Sequence, residues 1–158
     1  MLTYKEVELH ELPQVANMYN LLAYEMIEIT SDPYFNFDTL SDKTFLNHLS
    51  EAVQEKSLKI FIAKEDNDVV GFISGTITNC FLPMSNVGKI GSIEAAFVVK
   101  QYRKNGVMTV LEETITKHFK NCGLEYVELH VLSGNERARN FWSKSGYVTF
   151  REQRRKRL

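Results

Sequence analysis

Residues 97–111, FVVKQYRKNGVMTVL, constrain this chain more than any other stretch. They read as the end of a β-branched strand, a basic turn with one glycine, and the start of an amphipathic helix. A helix N-terminus carries free backbone N–H groups and a partial positive charge, so it holds phosphate. Arg103 and Lys104 add fixed positive charge ahead of the turn. Gly106 stands where a Cβ would keep the backbone away from an anion. The residue types therefore describe a candidate pyrophosphate cradle, against the plainer reading of KNG as an ordinary turn. The stretch is not a P-loop, because no Gly-Lys-Ser/Thr follows. It is not a dinucleotide fingerprint either, because three spaced glycines are absent.

A chain of 158 residues can bury a real core, and a single domain over residues 1–158 is expected. The net charge of −1 gives no overall pull toward nucleic acid or membrane. The charges are unevenly spread, however. Residues 1–56 carry ten acids against three bases, and residues 100–158 carry thirteen bases against six acids. That division suits a cationic substrate and an anionic cofactor, or equally two solvated faces that pair with each other. Cys80 and Cys122 and the scattered His10, His48, His118 and His130 form no metal-ligand spacing, so no metal is expected. No apolar run reaches membrane-spanning length, and MLTYKEVELH lacks the pattern of a signal peptide. A cytoplasmic protein with reduced thiols is the expectation.

Periodicity predicts a first strand over 2–9 and a helix from about Glu11 to Ile29, with Leu12, Val15, Met18, Tyr19 and Leu22 on one face. A loop of exposed aromatics comes next over 30–38, and Ser41 or Asp42 caps a second helix. Strands are predicted over 58–63 and 69–77, joined by the EDND turn, and a central strand over 90–99. A helix over 106–122, a strand over 124–132, a helix over 135–145 and a last strand from Tyr147 to Phe150 complete the order. This predicts an α/β (α+β) fold with a mixed sheet and helices on both faces. The basic tail (Arg151, Arg154, Arg155, Lys156, Arg157) is expected to be a polar edge strand rather than an RNA contact.

With these elements in place, two stretches resemble the GNAT superfamily, the Gcn5-related N-acetyltransferases. Arg103-Lys104-Asn105-Gly106-Val107-Met108 is similar to that family's Q/R-x-x-G-x-G/A signature. Residues 135–147, NERARNFWSKSGY, are similar to its N-x-x-A-x-x-x-Y-x-K-x-G-F block. The resemblance implies a GNAT-like fold, a mostly antiparallel sheet of six to seven strands with about four helices on both faces. It also implies acetyl transfer from acetyl-CoA to an amine. The backbone of Phe97, Val98 and Val99 would bind the pantetheine arm, and the N–H groups of Arg103, Lys104, Asn105, Gly106, Val107 and Met108 the pyrophosphate. Asn135 would approach the pantetheine or the region of the leaving sulfur, and Phe141 and Trp142 would flank the acyl arm. The N–H of Val98 would polarise the thioester carbonyl. Two positions depart from the pattern: Met108 replaces Gly or Ala, and Trp142 replaces the tyrosine that often serves as general acid.

An amine attacks only when neutral, so a base must take its proton, directly or through water. Glu94 interrupts the apolar run IEAAFVV and is the candidate catalytic base, expected to be partly buried. A structural carboxylate is the competing reading. Neither cysteine has the histidine partner a nucleophile requires. Tyr34, Phe35, Asn36 and Phe37, with Glu28 and Asp32 nearby, and residues 81–84 of the loop before the central strand are expected to face the substrate. Aromatics beside carboxylates suit a cation, although they equally suit capping of the core. Acetyl-CoA and an amine are the expected partners, with no nucleic acid and no membrane. A homodimer is open, since the short last strand leaves an edge for a second copy. The alternative to an enzyme is a non-catalytic acyl-CoA-binding or sensor module, motivated by Trp142.

Overall fold

A computed structural model describes residues 1–36 and 42–158. Phe37, Ser41 and the side chain of Asp42, expected in the substrate loop and the second helix cap, lie outside the described residues. The periodic apolar face of the first helix forms α1 (Leu12–Thr30), in which Leu12, Val15 and Met18 are buried. Ser31 ends it in the left-handed region (φ 48°), donating its N–H to Ile27 O. After α2 (Asp42–Gln54) the chain enters the sheet, whose strands are β1 (Leu2–Glu6), β2 (Lys59–Glu65), β3 (Asp68–Asn79), β4 (Lys89–Val98) and β5 (Val127–Leu129). Helix α3 (Val107–Asn121) lies between β4 and β5, and α4 (Glu136–Lys144) comes after β5. The spatial order is β1-β2-β3-β4-β5, antiparallel throughout except for the parallel pair β4–β5.

The two faces bury separate clusters, so helices cover the sheet on both sides as expected. One cluster joins α1 and α2 to Ile60, Ile62, Phe72, Ala95 and Phe97. The other joins Val107, Leu111, Ile115 and Phe119 of α3 and Trp142 of α4 to Ile73, Ile93 and Val98. Helix α3 sits close because Gly91 leaves room for Phe119. A Cβ on Gly91 would come within 2.5 Å of the Phe119 ring. Burying such a ring contributes about 1.5–3 kcal/mol.

Two features of β4 open a cleft in the sheet. Ser74 pairs with Ala95 but Gly75 pairs with Ile93, so Glu94 is the extra residue of a bulge. Side chains alternate along a strand, so Ile93 and Ala95 would otherwise share a face. The bulge puts Ile93 against α3 and Ala95 against α1 and α2. The pairing of β4 with β5 also stops at Ile93↔Leu129, while β4 runs on to Val98. The cleft therefore starts beside Glu94.

The sheet has five strands among the described residues, not six to seven. The strand expected over 124–132 contracts to Val127–Leu129, and residues 147–150 form no strand. The basic tail is consequently not an edge strand. Its side chains reach outward instead, with Arg151 over the Phe81 ring and Arg155 over the Tyr34 ring. These contacts hold it without a backbone ladder.

Candidate active site

The cleft edge is set by how β4 ends. Val99 donates its N–H to Val70 O (2.9 Å), on the β3 side. Peptide groups alternate along a strand, so Val98 turns its N–H and C=O the opposite way, into the cleft. Its carbonyl accepts Arg103 Nε at 2.7 Å. The Phe97 side chain joins the α1 and α2 core, with the Arg103 guanidinium 5.2 Å from its ring. Of the three residues expected to line the pantetheine path, Val98 is the one whose peptide group faces it.

The turn between β4 and α3 has the geometry its residues foretell. Lys104 and Gly106 take positive φ (66° and 77°), and Gly106 is the N-cap of α3. A Cβ on Gly106 would meet nothing within 4 Å, so the space over the turn is open. Val110 N–H bonds Gly106 O at 3.2 Å, which leaves the amides ahead of it as the donors a helix start does not use internally. Val107 is buried, and Met108 packs its side chain against the α3 core. The Met108 departure thus leaves the front of the cradle clear. Lys104 and Asn105 are exposed at its rim.

Glu25 of α1 ties this region together. Its carboxylate pairs with Arg103 Nη2 and with Arg137 Nη2 of α4 (2.9 Å). Burial raises its pKa, but the two guanidinium groups outweigh that and hold it below the usual carboxylate value. Because α1 and α4 lie on opposite faces of the sheet, the tie passes the open end of β4. A pocket of about 360 Å³ adjoins it, lined by Leu21, Tyr24, Glu28, Phe97, Val99 and Arg103 among others.

Glu94 is exposed, which corrects the expectation of partial burial; the bulge turns it out of the alternation that would have buried it. Its Oε1 accepts Thr76 Oγ1 at 3.0 Å. Two residues along β3, the fully buried Ser74 shares a 2.6 Å hydrogen bond with the Tyr19 hydroxyl. Burial chiefly pushes the Tyr19 hydroxyl up to about 12; the Ser74 bond opposes this and the Glu94 charge adds to it. Glu94 therefore heads a polar seam on the α1 face. Sequence periodicity placed Tyr19 in the apolar core and passed over Ser74 and Thr76. The available signal was two hydroxyl residues inside the run VVGFISGTI.

The second motif block has a different setting. Asn135 Oδ1 accepts Ala138 N–H (3.1 Å) and caps α4. Trp142 is buried between the rings of Phe141 (4.9 Å) and Tyr147 (5.3 Å). Tyr147 donates its hydroxyl to Glu112 Oε1 (2.9 Å). Burial chiefly pushes that hydroxyl up; a hydrogen bond with Thr116 opposes this and the Glu112 carboxylate adds to it. Tyr126 is exposed. In the α1–α2 loop, expected to face the substrate, Tyr34 and Phe35 form an edge-to-face pair (5.5 Å) beside Asp32. The described residues contain no cluster of metal-ligating side chains, and no helix is long and apolar enough to cross a membrane.

The Acetyltransferase (GNAT) family pattern matches residues 23–147, and the chain belongs to that family. No curated protein sequence matches it significantly. Solved structures share the fold at low identity. A predicted acetyltransferase of Clostridium acetobutylicum, with acetyl-CoA, is 15% identical with a TM-score of 0.78, covering 100% of this chain and 97% of that one. A mutant of the BH1408 protein of Bacillus halodurans is 19% identical with a TM-score of 0.84, covering 99% of each chain. The aminoglycoside acetyltransferase AAC(6')-Iy, in complex with a CoA-S-monomethyl-acetylneamine bisubstrate analog, is 18% identical with a TM-score of 0.78, covering 100% and 99%.

Proposed function

We propose that this chain is an N-acetyltransferase that moves an acetyl group from acetyl-CoA to a primary amine of a small molecule or peptide by direct attack. The observation that carries this reading is the stretch of β4 from Glu94 to Val98. It is free of β5 on one side and leads, through a 3-10 turn over Lys100–Tyr102, into the glycine turn and the N-terminus of α3. Acetyl-CoA is the cosubstrate of GNAT acetyltransferases and supplies an activated thioester. The amides from Lys104 to Met108 would hold its pyrophosphate, the Arg103 N–H being taken by Lys100 O at 3.3 Å, and the cleft face of Val98 would receive the pantetheine and acetyl end.

Glu94 would accept the proton of the incoming ammonium. Four residues of extended chain span roughly 13 Å between Glu94 and Val98. That exceeds a hydrogen bond, so the amine lies between them or hands its proton over through water. Thr76 fixes the carboxylate meanwhile. The leaving thiolate takes its proton from solvent, because Trp142 has no acidic hydroxyl and Tyr147 is held by Glu112.

The lack of an acidic hydroxyl at Trp142 also motivates the second reading, a non-catalytic acyl-CoA-binding or sensor module. Thiol release from acetyl-CoA across a panel of amines separates the two. Turnover with at least one amine supports the transferase. Calorimetric binding of acetyl-CoA with no turnover across the panel supports the sensor.

A further inference from the structure

The two loops on the acceptor side already hold a cation, and it belongs to the chain itself. The tail after α4 is pinned at two places. Arg151 stacks over Phe81 of the β3–β4 loop (4.3 Å to the ring centroid), with Phe150 against the same ring (5.8 Å). Four residues on, Arg155 reaches the α1–α2 loop. Its guanidinium pairs with Asp32 Oδ2 and lies 4.5 Å from the Tyr34 centroid and 5.9 Å from that of Phe35. We propose that Asp32, Tyr34 and Phe35 form a cation-binding subsite for the acceptor, and that Arg155 is its resident in the free protein. The C-terminal tail is then an intramolecular competitor of cationic acceptors. That an acceptor exists at all rests on the transferase reading, but the subsite itself can be tested without turnover.

The subsite has the parts a guanidinium or alkylammonium group needs. Asp32 Oδ1 accepts Tyr34 N–H (2.9 Å), which fixes the carboxylate beside the ring. Oδ2 then remains to face the cation. The two rings meet edge to face at 76°, and a cation lies over their faces. Loop chemistry builds this: Pro33 starts a 3-10 turn that presents Tyr34 and Phe35 directly after Asp32. The resident is loosely held, since the Arg155 side chain is 55% exposed and exposed ion pairs are weak. The same contacts could not be exchanged if they were buried. The tail carries further cations beside Arg155 in sequence: Arg154, which pairs with Glu152 Oε2 at 2.8 Å, and Lys156 and Arg157.

Calorimetric titration with arginine amide tests this on the full chain, on Arg155→Ala, on Arg155→Ala with Asp32→Asn, and on a chain ending at Gln153. The truncation guards against a neighbouring arginine filling the place of Arg155. Losing one exposed ion pair and its ring contacts predicts that Arg155→Ala or the truncation binds arginine amide about tenfold more tightly than the full chain. Adding Asp32→Asn is expected to remove the gain. No gain in either variant, or a gain that survives Asp32→Asn, overturns the proposal. Thiol release from acetyl-CoA is followed in parallel. Tighter cation binding without turnover upholds the subsite and sinks the transferase reading alone.

Discussion

Glu11 shows what one side chain does for this fold. Its carboxylate is 1% exposed, yet it is fully partnered: Lys64 Nζ at 2.6 Å, Lys5 Nζ at 3.1 Å and the Glu8 N–H at 2.9 Å. Burial raises its pKa, but these partners outweigh burial and hold it at about 2, against an ordinary 4.5. A group depressed in the folded state stabilises above its unfolded pKa and loses that stabilisation as pH falls through the folded value. Glu11 therefore contributes on the order of 3 kcal/mol at neutral pH, and this disappears between about pH 5 and pH 2. Glu11→Gln should lower stability at pH 7 by about that amount and flatten the acid limb of a denaturation series. An unchanged acid limb would show that the ion cluster is not what acid breaks. None of this was legible in the sequence, because Glu11 looked like the polar start of a helix and its partner Lys64 lies 53 residues away.

The elements were more legible than the residues between them. Helices α1 and α3 declare themselves by period, and the first four strands by β-branched runs, so the starts of these elements fall within a residue of expectation, whereas β5 begins three residues later than expected. The bulge at Glu94 was not legible, because it depends on how β4 meets β3 rather than on either sequence alone. Its consequence was a wrong expectation about the burial of Glu94. The last strand failed for the complementary reason: Tyr147 to Phe150 has strand propensity, but the tail finds ring and carboxylate partners instead. The cradle gives a prediction at this scale. Gly106→Ala adds a Cβ at φ 77° that touches no protein atom within 4 Å. It should cost only about 1 kcal/mol in stability, the left-handed penalty. Acetyl-CoA affinity should fall about tenfold, because the methyl would stand in the space proposed for the pyrophosphate. Equal loss of both would mark the glycine as a folding residue only.

Across the whole molecule, the acidic first third and basic last third do pair. Glu25 meets Arg103 and Arg137, and Asp32 meets Arg155. The charge division read from the sequence is thus partly internal neutralisation, placed at the mouth of the cleft and between the α1–α2 loop and the C-terminal tail. Glu25→Gln removes the tie and also a negative charge beside the cradle. It should lower stability by about 1 kcal/mol, as for a partly buried pair, and tighten acetyl-CoA binding several-fold at low salt, less so at about 0.5 M. Weaker binding at low salt would instead make Glu25 the group that positions Arg103. On the proposed mechanism, the opening of the sheet joins a proton acceptor on one face to an acetyl donor in the cleft. Comparing Glu94→Gln with the wild type, with thiol release and acetyl-CoA calorimetry side by side, tests this most directly. The expected result is a fall in kcat of about 10²–10⁴-fold with the acetyl-CoA Kd unchanged. Turnover that survives the substitution would contradict it and return Glu94 to a structural partner of Thr76.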